Sequence, residues 1–108
     1  MALNVTFRPR AEADLLALYD YIVGQAGSAI ASGYIDRIEA ACMALATFPE
    51  RGTPRDDIWP GLRTIGFERR ATIAFRVLKT QVEIVTIAYG GWDFESNLRA
   101  SRSRRRRR

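Results

Sequence analysis

The chain has 108 residues and 12.2 kDa, 47% of them hydrophobic, which is the size of one small domain able to build a core without staples. A single cysteine, Cys42, excludes an internal disulfide and a cysteine-built zinc site, and the absence of histidine excludes Ser-His and Cys-His nucleophile pairs and histidine metal sites. The formal charge of +5 belongs to one end: six of the 17 basic residues are Arg102 and Arg104 to Arg108, leaving 11 basic against 12 acidic side chains in residues 1–101.

Leu3, Val5 and Phe7 alternate with Asn4, Thr6 and Arg8, the pattern of a half-buried strand. Pro9 ends that strand and suits the first turn of a helix, where its missing donor costs little. Ala11, Leu15, Leu18 and Ile22 then recur at helical spacing, with Glu12, Asp14 and Asp20 off that face, and Gly24 or Gly27 stops the run. Ser28 is the expected N-cap of a second helix whose stripe is Ala31, Ile35, Ile38, Cys42, Leu45 and Phe48, with Tyr34 and Ala41 at its border and Pro49 as its stop. Cys42 lies on that apolar face and reads as packing. A short Gly-Ser turn between the helices predicts an antiparallel hairpin.

Residues 49–61 form a polar loop with three prolines and two glycines, pinned by its only large apolar members, Ile58 and Trp59. Three runs rich in β-branched and aromatic residues follow, at 62–67, 71–78 and 82–89. Their turns are Glu68-Arg69-Arg70 and Lys79-Thr80-Gln81, which predicts an antiparallel meander. In the second run Ile73, Phe75 and Val77 share one face and Thr72, Ala74 and Arg76 the other. The third is apolar on both faces until Gly90-Gly91 breaks it. Residues 92–99 have the composition for one or two helical turns, and the Arg-rich tail at 100–108 is expected to be disordered.

The expected fold is α+β in the order β-α-α-β-β-β, with the helix hairpin packed on an antiparallel sheet. Residues 1–99 make the domain. Its expected core includes Val5, Phe7, Leu15, Leu18, Ile22, Ile38, Leu45, Ile73, Phe75 and Ile84. No run is apolar and long enough to span a bilayer, and the opening MALNVTFRPR is not a signal peptide, so the expected location is cytoplasmic and no membrane partner is implied. Charge is split as well. Residues 10–60 hold 4 basic and 8 acidic side chains, and residues 61–101 hold 6 basic and 4 acidic.

Several stretches, in order, resemble the RelE/ParE family of toxins from bacterial toxin–antitoxin modules. They are Pro9 with Ala11-Glu12-Ala13-Asp14-Leu15, LATFPERG at 45–52, Pro60-Gly61-Leu62-Arg63, Ile73-Ala74-Phe75-Arg76-Val77, and Val82-Glu83-Ile84-Val85 running into Tyr89-Gly90. The likeness covers about residues 3–98 and is closer to the ParE branch. It implies a type II toxin that inhibits DNA gyrase, has no cofactor or metal, and is held inactive by a ParD-like antitoxin in a hetero-oligomer. The RelE branch implies the alternative, a ribosome-dependent mRNA endoribonuclease. Many ParE-like chains close the last strand with a His-Gly-x-Arg-Asp segment; here Tyr89 stands for the His and Trp92 for the Arg.

The candidate target-binding residues are therefore Arg63, Arg69, Arg70, Arg76, Tyr89 and Trp92. Arginine holds phosphate or carboxylate bidentately, which suits nucleic acid or an acidic protein face. Solvated strand and turn arginines are the plainer reading of the same residues. For a nuclease the set would be Arg63, Arg76 and Tyr89, with Tyr89 as a general acid and Glu68 or Glu83 as the nearest base. The Arg tail could meet DNA phosphates without reading sequence.

Overall fold

In the computed structural model residues 3–90 are described. The order is β1 (Asn4–Phe7), α1 (Pro9–Ala26), α2 (Ser28–Ala44), β2 (Thr53–Pro54), β3 (Leu62–Phe67), β4 (Ala71–Val77) and β5 (Gln81–Tyr89). Pro9 occupies the first turn of α1, after Arg8 in extended conformation, and Glu12 lies in the same turn, where it complements the helix dipole. Ala11, Leu15, Leu18 and Ile22 form the buried stripe. Gly27 (φ +94°) reverses the chain, donates to Val23 O at 2.9 Å and is itself the N-cap of α2, so Ser28 is the first helical residue and not the cap expected of it. The second stripe buries Ala31, Tyr34, Ile38 and Cys42. Burial pushes the Cys42 thiol up to about 12, so it packs as an inert apolar group.

Both helices lie on one face of a five-stranded sheet ordered β1-β5-β4-β3-β2. The sheet is mixed and not wholly antiparallel. β2 to β5 run antiparallel, whereas β1 pairs with β5 in parallel, Val5 opposite Val82 and Phe7 opposite Ile84. A parallel neighbour cannot be reached by a tight turn, and the connection from β1 to β5 runs through the helix hairpin and then through β2, β3 and β4. β2, two residues within the polar loop, has too little alternation to be visible in the sequence. Phe48 leaves the expected stripe: α2 ends at Ala44, the chain turns, and Phe48 is 62% exposed.

The β4–β5 register shifts at one point. Ala74 faces Thr86 but Phe75 faces Ile84, so Val85 is an extra residue, a β-bulge. The bulge changes which residues of β5 meet the helices. Val82, Ile84 and Ile87 join Ala71, Ile73 and Phe75 under the hairpin, while Val85 joins Ile58, Trp59, Leu62 and Ala74 in a second cluster on the opposite face. All ten expected core residues are buried or packed against the main cluster, Val5 and Phe7 as half-buried members.

Candidate functional site

Strand pairing decides which candidate residues can act together. Arg63 lies opposite Phe75 and Tyr89 opposite Ala71, so both share the helix-covered face. Arg76 lies opposite Leu62 and Glu83, on the other face. Arg63, Arg76 and Tyr89 therefore do not converge. Arg63 sits near the start of β3 and donates to Arg51 O at 3.1 Å. Trp92 and the tail lie outside the described residues.

Arg76 belongs to a cluster on the helix-free face. Its guanidinium carbon is 4.9 Å from the centre of the Trp59 ring, and that of Arg8 is 5.5 Å from the same centre. Glu83 lies between them, 3.5 Å from Arg8 and 3.6 Å from Arg76. Arg76 Nε and Glu83 Oε1 are buried without a hydrogen bond, so the contact with Arg76 is an ion pair of loose geometry. The arrangement clamps the 55–61 loop to the sheet through cation–π contacts. Arg8 was legible as the next polar-face position after Thr6; the part played by Trp59 was not.

Arg69, Arg70 and Tyr89 gather at one end of the molecule. The β3–β4 tip holds two consecutive non-glycine residues at positive φ, Glu68 (+47°) and Arg69 (+66°). Glu68 is fixed from below by Arg37 of α2, which donates to its two oxygens at 2.8 and 3.1 Å. Those hydrogen bonds hold the Glu68 carboxyl below the usual range and raise the Arg37 guanidinium. Arg70 O accepts from Gly90 N at 2.7 Å, which ties the tip to the end of β5. Beside it, Tyr89 contacts Tyr21 (ring centres 5.8 Å) and Tyr34 (5.9 Å), and Tyr34 packs edge-on to Phe67 at 5.5 Å. The Tyr34 hydroxyl is buried without a partner, and burial, followed by the nearby Tyr89 and Glu68, pushes its phenol up to about 12. Arg69 and Arg70 are exposed, with no charge partner among the described residues. Tyr21, Tyr34 and Arg37 were missed in the sequence; only the position of Tyr34 at the border of the α2 stripe hinted at them.

A third feature is a groove of about 310 Å³ lined by Leu15, Leu16, Tyr19 and Ile35, with Glu12 and Glu39 also in its lining. Leu16 is 67% exposed there. Of the two arginines of the hairpin, Arg10 is paired with Asp14 and Arg37 with Glu68, so among the described residues Glu12 and Glu39 in the groove lining have no ion-pair partner. Among the described residues no group of His, Cys, Asp and Glu could hold a metal ion, and no helix is long and apolar enough to cross a membrane.

A helix hairpin on one face of a mixed sheet, with the opposite face partly covered by a loop, is the architecture of the RelE/ParE group of toxins. It is shared with a solved structure from the chromosomal ParDE toxin–antitoxin system of P. aeruginosa (TM-score 0.72, 28% identity, 82% of this chain and 97% of that one). The free E. coli toxin RelE, as a mutant, shares the fold at TM-score 0.63 and 15% identity, over 94% of this chain and 98% of that one. No curated protein sequence matches significantly. The family model for the ParE toxin of type II toxin–antitoxin systems matches residues 5–94, and the chain belongs to that family.

Proposed function

We propose that this toxin acts on DNA gyrase in the cytoplasm by binding it, with no hydrolytic chemistry of its own, and that a ParD-like antitoxin silences it. One observation carries the reading. The three residues that a nuclease would need lie on two faces of the sheet, and the Arg76 guanidinium is already engaged by Trp59 and Glu83. Tyr89, the candidate acid, is packed among tyrosines on the helix side. A general acid must reach the leaving group beside its cationic partners, and this arrangement favours a binding surface. Arg69, Arg70 and Tyr89 form the centre of the surface proposed to meet gyrase while it holds DNA, and Arg63 and Trp92 are its further candidate residues.

The acidic, apolar groove on the helix hairpin supports the antitoxin half of the proposal. Its chemistry suits a helical segment with apolar residues on one side and Lys or Arg at the edges. The ParDE origin of the P. aeruginosa structure supports the same pairing.

The test reads two activities from one preparation: accumulation of cleaved DNA by purified gyrase, and cleavage of a message programmed on ribosomes. Tyr89→Phe keeps the ring and removes the hydroxyl. A binding poison loses about tenfold or less, since one hydrogen bond is worth about 0.5–1.5 kcal/mol. A nuclease using that hydroxyl loses orders of magnitude. Message cut in the ribosomal A site with intact gyrase activity would establish the endoribonuclease instead.

A further inference from the structure

The β3–β4 tip combines three features. Two neighbouring arginines are exposed, with no charge partner among the described residues. The backbone beneath them is strained, because residues without glycine's freedom hold positive φ at Glu68 and Arg69. That conformation is held by the two-pronged Arg37–Glu68 bond from another element. Glu68 is the only carboxylate of the tip among the described residues, and Arg37 already takes it up. The tip therefore presents two positive charges on a braced support.

We propose that this tip is a nucleic-acid contact in which Arg69 and Arg70 each take a backbone phosphate of duplex DNA. The inference deepens the target reading and rests on it for its setting, in which gyrase is met while it holds DNA; its geometry stands alone. Successive phosphates of a DNA strand lie farther apart than adjacent Cα atoms, which are about 3.8 Å apart, and two arginine side chains are long enough to span the difference from consecutive residues. A protein partner is favoured less. Protein interfaces centre on a desolvated apolar core, and among the described residues none of the exposed large aliphatic side chains, Leu16, Ile30, Met43 and Val77, belongs to the tip. Tyr21, an exposed aromatic ring, connects to this end through its contact with Tyr89.

The test uses the full chain and a fluorescein-labelled duplex of about 20 base pairs, titrated across about 50–200 mM KCl. Arg69→Asn with Arg70→Gln removes both charges, and asparagine tolerates the left-handed backbone at 69. Arg51→Gln with Lys79→Gln removes the same charge elsewhere, and the Arg tail is common to every variant. Each lost phosphate contact lowers the slope of log K against log salt by about 0.9, so the tip variant falls by about 1.8 while the control keeps the wild-type slope. Arg70→Gln alone, at a position without positive φ, falls by about 0.9 and guards against misfolding of the double variant. Equal slopes for tip variant and control overturn the proposal. So does a loss of gyrase inhibition by the tip variant at unchanged DNA slope, which assigns the tip to a protein surface. Failure of the wild-type chain to inhibit gyrase sinks the target reading and leaves the DNA slopes to decide this one.

Discussion

Asp14 of α1 closes the free edge of β5: the Ile87 N–H donates to its Oδ2 at 3.0 Å, and the Thr86 hydroxyl donates to the same oxygen. β1 stops at Phe7, opposite Ile84, so the second half of β5 has no strand on that side. Helix α1 covers it, and Asp14 supplies an acceptor. Asp14→Ala leaves a mostly buried donor unmet and should cost about 1–3 kcal/mol in urea denaturation. Asp14→Asn keeps an acceptor and should cost less. A midpoint equal to wild type for the alanine variant would show that water replaces the carboxylate.

Gly52 is required where the loop closes onto β3. Its φ is +79°, and a Cβ there would lie 2.3 Å from Thr64 O and 2.5 Å from a methyl of Ile65. Backbone oxygen cannot swing away as a flexible side chain can. Gly52→Ala should cost roughly 2–4 kcal/mol, from the left-handed backbone and overpacking together. Thermal melts check this, with Gly61→Ala as comparison: its φ is also positive but its Cβ meets open space, so it should lose less.

Tyr34 gives an alkaline signature. Its phenol rises from 10.0 to about 12 in the folded chain, chiefly by burial. The unfolded chain ionises first, so the stability tied to this group is complete below about pH 10 and is lost as pH climbs toward 12. Tyr34→Phe should remove that component of alkaline unfolding. At pH 7 it should be as stable as wild type or slightly more, because the hydroxyl it deletes is buried without a partner. Urea midpoints at pH 7 and pH 11 for both chains decide it; a clear loss at pH 7 would mean that the hydroxyl has a partner in solution.

Trp59 should behave as a clamp. It is 8% exposed and carries two guanidiniums over its ring. Trp59→Ala uncovers Ile58, Leu62, Ala74 and Val85 and should cost about 3–5 kcal/mol. Trp59→Phe keeps a ring under both arginines and should recover much of that loss. Equal losses for the two variants would place the stabilisation in the indole body and not in the ring–cation contacts.

The helices and the meander were legible because their apolar residues repeat at clear periods: Leu15, Leu18 and Ile22 on α1, Ile73 and Phe75 on β4. The bulge was legible only in hindsight. Large apolar residues in β5 keep one parity at Val82 and Ile84 and switch to the other at Ile87 and Tyr89, which an unbroken strand would not do. The parallel seat of β1 beside β5 was hidden, since alternation at Val5 and Phe7 says that one face is buried but not which strand lies alongside. For the candidate site, charge made Arg69 and Arg70 visible. Nothing local announced that Arg37, some thirty residues earlier, would brace the turn that carries them, or that Arg63 and Arg76 would fall on opposite faces.

The strand that seats β1 is the last of the sheet to be made. A ribosome that has finished the helices, β3 and β4 has still not produced the neighbour that residues 4–7 require, so the sheet assembles only after residues 81–84 emerge. Timing and genetics follow from that placement. Under the proposed function, synthesis and potency are separated by a lag in which the proposed antitoxin can meet an unfinished chain. Nonsense and frameshift lesions far downstream of the helices should disarm the gene as completely as early ones, so selection for survivors should recover truncations spread along the whole reading frame up to the codons of β5.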